Sequence, residues 1–86
     1  MIIVTTDDDA KKNISANLSW LLDHRGMSQV ELATLTGDTP MSISRYVRGM
    51  CLPSAGALAR IAEAFRLPMD ALVASPKKNP KRRLAS

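Results

Sequence analysis

The sequence predicts an all-α fold, a compact bundle of five helices, on three observations. Apolar residues recur every three or four positions along most of the chain, the spacing of one helix face. Trp20, Tyr46 and Phe65 are the only aromatic residues, so leucine, isoleucine, valine, methionine and alanine must fill the interior, which suits helices. Helix start and stop signals follow one another closely in the middle of the chain: Ser28 with Glu31, Gly37, Thr39-Pro40 and Gly49. A chain of 86 residues makes one small domain. Such a domain buries only ~60–65% of its unfolded surface, so its core must be compact.

Residues 1–9 read as an N-terminal arm. Met1 to Thr6 are apolar and β-prone, suited to a short strand or a loose segment. Asp7, Asp8 and Asp9 then cap the first helix and complement its dipole. Three adjacent carboxylates are too tightly spaced to converge on a metal ion without other ligands, so neither a metal site nor a cofactor is expected. The domain proper is expected over residues 10–74. Its first helix runs from about Ala10 to Arg25, with Ile14, Leu18, Leu21 and Leu22 on one face. Trp20 lies about 240° from Ile14 around the wheel. It is expected to pack under Ile2, Ile3 and Val4, the alternative being a contact with a second subunit or a partner. His24, at the helix end, is read as solvated or facing the dipole.

Gly26 suits the left-handed residue that ends a helix. Ser28 opens a capping box with Glu31, and Val30, Leu32, Ala33 and Leu35 give the second helix an apolar side. Gly37 ends it. Thr39 is a good N-cap and Pro40 a good first residue for a third helix running to about Arg48, closed by Gly49. With Met41 as the origin of the wheel, Arg45 falls about 40° to one side, and Arg48 about 20° and Ser44 about 60° to the other. Tyr46, Ile43 and Val47 cluster at about 140°, about 200° and about 240°, opposite the methionine and arginines. A fourth helix is expected from Ser54 to about Phe65, with Leu58, Ile61, Ala62 and Phe65 on one face. Pro68 starts a short fifth helix with Met69, Leu72 and Val73 apolar. The expected core holds Leu18, Leu21, Leu32, Ala33, Ile43, Val47, Leu58, Ile61 and Phe65.

The net charge of +4 conceals an asymmetry. Five of the twelve basic residues, and none of the eight acidic ones, lie within residues 75–86. Residues 1–74 therefore carry seven basic against eight acidic residues, a net of −1. The basic end, interrupted by Pro76 and Pro80, is read as a disordered tail. Cys51 is the sole cysteine, which excludes an internal disulfide and a cysteine-rich zinc site and fits a reducing cytoplasm. No apolar run approaches the ~18 residues of a membrane span, and the first residues lack the pattern of a signal peptide. With one histidine, no Ser-His-Asp or Cys-His arrangement and no glycine-rich phosphate loop, an enzyme is not expected.

Two short helices joined by a tight turn, the second with a Met-Arg-Arg outer face, make a DNA-reading helix-turn-helix. The chain resembles the Cro and phage-repressor (XRE) family of that motif, a lambda-repressor-like fold. The resemblance is carried by Ser28-Gln29-x-Glu31-Leu32-Ala33, by Gly37 four residues on, by Ile43-Ser44-Arg45 and by Gly49. Pro53-Ser54 opens the next helix at the matching place, and the likeness extends from about Asn17 to Val73. It implies that Met41, Ser42, Ser44 and Arg45 face the bases of the major groove, with Arg45 on a guanine. It further implies phosphate contacts from Gln29, from Thr39 at a helix N-terminus, and from Arg48 and the Met50 backbone.

Three departures from the family stand out. The arginine and glutamate that many relatives pair between the first and third helices are here Leu22 and Val47. Both are apolar, so no buried charge is left unpaired. The first recognition-helix positions, often polar in relatives, are Pro40 and Met41; methionine still suits a thymine methyl. Arg66 occupies a position usually held by glycine or asparagine and should strain a left-handed cap.

The expected function is that of a sequence-specific DNA-binding transcriptional regulator, a repressor, located in the cytoplasm with the nucleoid. Its expected partner is double-stranded DNA, as an inverted-repeat operator bound by a homodimer. Lys77, Lys78, Lys81, Arg82 and Arg83 of the tail are expected to add contacts to DNA. The alternative is an antitoxin-like or other protein-partner module on the same fold, using Trp20, the apolar N-terminus and the basic tail.

Overall fold

The computed structural model describes residues 6–76, in which five helices and no strand are found. They are α1 (Asp7–Arg25), α2 (Gln29–Thr36), α3 (Pro40–Val47), α4 (Ala55–Ala64) and α5 (Met69–Val73). α1 begins three residues before the expected start because Thr6, not the aspartates, is its N-cap. The Thr6 hydroxyl accepts from the Asp9 N–H at 3.1 Å, and the Asp9 carboxylate accepts from the Thr6 N–H at 3.4 Å. Asp7–Asp9 thus belong to the first turn rather than to the arm, where their charge still complements the dipole.

The same device recurs. Ser28 and Glu31 form the expected capping box. The Thr39 hydroxyl accepts from Ser42 N–H at 3.1 Å and the Ser54 hydroxyl from Ala57 N–H at 3.1 Å. Gly26 (φ 61°) and Gly37 (φ 77°) end α1 and α2 in the left-handed region, where a side chain would be strained. After α4 that conformation falls on Arg66 (φ 57°), and the Leu67 N–H closes the turn on the Ala62 carbonyl at 2.9 Å. The strain anticipated at Arg66 is therefore present.

α1 packs against α3 and α5, α2 against α3 and α4, and α4 against α5. Phe65, Leu18, Leu32, Ile43, Ile61 and Leu72 are the largest fully buried side chains. Expected core residues Val47 and Leu58 are only half-buried: they line the edge of the cluster, while Ile14, Leu22, Ala62 and Leu72 join it. On α2 only Leu32, Ala33 and Thr36 face inward. Val30 and Leu35, expected on the apolar side, are 60% and 62% exposed. They flank the buried arc at about 110° on either side of its centre, outside the reach of α3 and α4.

Two asparagines of α1 fasten the last helix. Asn17 is buried and its side-chain amide donates to the carbonyls of Leu72 (2.7 Å), Ala74 (2.9 Å) and Ala71 (3.2 Å). Asn13 donates to the Val73 carbonyl at 2.9 Å. A five-residue helix has most of its carbonyls unpaired; here side chains of α1 satisfy them. Trp20 is half-buried against the core and stacks on the exposed His24 ring, centroids 4.5 Å apart. The expected cover from Ile2, Ile3 and Val4 lies outside the described residues. No described helix is long and apolar enough to cross a membrane.

Candidate nucleic-acid interface

Ile43 is fully buried and so fixes the rotation of α3. The wheel then turns Met41, Arg45 and Arg48 outward, and all three are exposed, Met41 at 64%. Ser44 is half-buried on the flank of that face. Neither of the two ion pairs among the described residues involves Arg45 or Arg48. Their guanidinium groups are left to outside acceptors. Ser42 is less available than the sequence implies: half-buried, its hydroxyl receives a bond from the Thr39 hydroxyl at 3.0 Å.

The two helix N-termini differ in charge. At α2, the Glu31 carboxylate folds back on the Ser28 N–H at 3.1 Å, and Gln29 beside it is half-buried. An anion approaching there meets a carboxylate. At α3, the cap is the neutral Thr39 hydroxyl, and the first turn holds no acid. Helix dipole and backbone N–H therefore act on an anion without opposition within that turn. The C-terminal end of α3 is closed by Gly49 (φ 71°) and by the Met50 N–H, which donates to the Arg45 carbonyl at 2.9 Å. That N–H is taken, so a phosphate contact from the Met50 backbone would need another donor; its side chain is 60% exposed.

Side chains from other elements hold this frame, and the sequence pattern does not mark them. Ser15 of α1 donates its hydroxyl to the Val47 carbonyl. A Cβ on Gly49 would stand 3.5 Å from the Ser15 Cβ, so α1 lies directly under the end of α3. Asp38, in the turn, accepts from Arg60 of α4 at 3.1 Å. Burial pushes the Tyr46 phenol above its ordinary pKa, with Asp38 and Cys51 adding to the rise and Arg60 opposing it. Tyr46 is thus a neutral group on the inner side of α3. Leu22 and Val47, the apolar substitutes for the family's ion pair, line one groove together with Met27, Ser28 and Gln29. Lys77, Lys78, Lys81, Arg82 and Arg83 lie outside the described residues. Among those described, no group of three or more His, Cys, Asp or Glu is placed to hold a metal ion.

Residues 18–72 match the family model described as helix-turn-helix. Among solved structures, the chain is similar to the SOS-response transcriptional repressor LexA from Eubacterium rectale. The TM-score is 0.77 at 23% identity, covering 90% of this chain and 80% of that one. It is also similar to the hypothetical transcription factor NHTF from Neisseria, with a TM-score of 0.79 at 19% identity, covering 100% of this chain and 94% of that one. At these identities the likeness concerns the fold. No curated protein matches the chain in sequence.

Proposed function

The chain belongs to the helix-turn-helix family of the Cro and phage-repressor (XRE) type, and from that premise we propose that it is a sequence-specific repressor reading the major groove with α3. The observation that carries this is the outer face of α3, which presents Met41, Arg45 and Arg48 to solvent while Ile43 anchors the opposite face in the core. Arg45 is the residue for a guanine, through O6 and N7, and Met41 suits a thymine methyl. Ser44 reaches the edge of the same groove. Ser42 acts first as a partner of the Thr39 cap and only then toward DNA. Thr39 and the free end of α3 receive a phosphate, and Arg48 lies along the backbone. Gln29 contributes through its side chain, since Glu31 occupies the neighbouring backbone position.

One eight-residue helix reads only a few base pairs. Specific control therefore calls for a homodimer on an inverted repeat, with the two reading helices about 34 Å apart. A site beside the nucleoid in the cytoplasm follows from that partner. Selection of bound sequences from a random DNA pool tests the function directly, and the expected product is an enriched inverted repeat. A pool that shows no enrichment, with the chain instead capturing a defined protein, would assign it to the antitoxin-like class. Sedimentation that finds a monomer both free and on the selected site would remove the dimer.

A further inference from the structure

The turn that leads into α3 is held from outside α2 and α3. Asp38 sits between Gly37, in the left-handed region, and Thr39, the N-cap of α3. Its side chain is 13% exposed, and one carboxylate oxygen accepts from the Arg60 guanidinium at 3.1 Å. The other oxygen, Oδ2, is buried and has no hydrogen-bond partner among the described residues. Arg60 stands 22 residues away, on α4, and is half-exposed. It lies back over Gly56, where an added Cβ would come within 3.3 Å of its Nη1. Glycine inside a helix costs roughly 0.5–1 kcal/mol relative to alanine; at position 56 it leaves the guanidinium room to reach the turn. Tyr46, on the inner side of α3, senses both charges of the pair.

We propose that Arg60 is a positioning residue for DNA reading: it holds the Asp38 carboxylate and through it fixes the turn from which α3 is aimed. The inference rests on the DNA-reading function above. Arg60 is half-exposed but Asp38 is nearly buried, so the pair fixes where the carboxylate, and with it the turn, can sit. It joins α4, which carries none of the expected base contacts, to the residue just before the N-cap of the helix that carries four. It also places a cation beside the carboxylate nearest in sequence to the α3 N-cap. Arg60 itself need not touch DNA. A lysine in its place keeps the charge but loses the planar fork that meets a carboxylate.

The test is a double-mutant cycle on the ratio of specific to non-specific affinity, measured on the full chain with the pool-selected site and a scrambled duplex. Arg60→Met and Asp38→Asn should each lower that ratio by about fivefold. The double variant should lose no more than either single one, because both remove the same link. Arg60→Lys should fall between Arg60→Met and the parent chain. Helicity should stay that of the parent in all four variants, and the ratio is read well below each melting temperature, so that a purely structural role would lower the melting temperature without changing the ratio. If Arg60→Met weakens both duplexes equally, lowers the salt slope by about one, and Asp38→Asn has no such effect, Arg60 is a phosphate contact and the inference is overturned. Unchanged ratios in a chain that does select a site overturn the inference and leave the DNA function standing. A parent chain that prefers no site overturns both.

Discussion

Arg45 in α3 and Arg48, its C-cap, lie about 60° apart around the helix, both exposed, and they should fail in different ways when removed. Arg45→Ala should lose ~1–3 kcal/mol of discrimination at one base pair. Arg48→Ala should weaken all sequences about equally and lower the salt slope by about one. Binding to single-base variants of the selected site at two salt concentrations separates them; an intact base preference in Arg45→Ala would make it a phosphate contact. Arg66 offers a stability test at the same scale. Its left-handed φ of 57° costs a side chain roughly 1–2 kcal/mol, part of which glycine loses again through unfolded-state entropy. Arg66→Gly should therefore raise stability by about 0.5–1 kcal/mol, read as a higher denaturant midpoint. At this scale periodicity made Ile43, Met41, Arg45 and Arg48 legible, because one wheel fixes both the buried and the open face. It gave no sign of Arg60 and Asp38. A contact across 22 residues leaves no periodic mark. Val30 and Leu35 mislead for a related reason: composition marks a residue as apolar but does not say how wide an arc of a short helix its neighbours cover.

Among the elements, cap chemistry made most boundaries readable, since the hydroxyl, the acid three residues on and the terminal glycine each answer a specific unpaired backbone group. The start of α1 is the exception. Thr6 and Asp9 have the same spacing as Ser28 and Glu31, yet the aspartate run masks the threonine before it, and the expected start falls three residues late. α5 is the element most dependent on another. It has no side-chain N-cap, and its C-terminal carbonyls rest on Asn13 and Asn17. Asn17→Ala should cost about 1–3 kcal/mol, because it strips buried carbonyls of their donor. Faster amide exchange in residues 69–74 than in α2 or α4 would locate the loss. We expect the dimer seam to involve α5, where Met69 is exposed and Leu72 is buried. The same variant should then weaken self-association, and sedimentation at graded concentration reads that directly. If self-association survives while α5 loosens, the seam lies elsewhere.

For the whole molecule, the charge is divided unevenly along the chain. Residues 1–74 carry a net of −1 and residues 75–86 carry +5. We propose that this basic segment adds affinity for DNA without adding sequence information. Two or three phosphates met by the tail add about 0.9 each to the salt slope. Truncation after Ala74 should weaken binding at every sequence, flatten the salt dependence and keep the preferred site. Equal affinity at low salt would make the tail a solubilising segment, and a changed site would mean that it reads bases. The division of charge is legible in composition, whereas a dimer seam, which depends on the shape of two surfaces, has no counterpart there.

The hydroxyl caps of α1 to α4 also bear on how quickly the chain finds its shape. Each joins a residue to the backbone only three positions on, at 3.0–3.1 Å. Such bonds form without waiting for distant parts of the chain to meet, and they ease the costly first turn of a helix. A domain assembled from such self-starting pieces should refold in roughly microseconds to milliseconds, in a single exponential phase. The α2 start lies where α1, α2 and α3 converge, so Ser28→Ala should slow refolding more than it hastens unfolding. Both limbs of a denaturant chevron give that ratio. The opposite partition would mean that the box closes only after the core has formed.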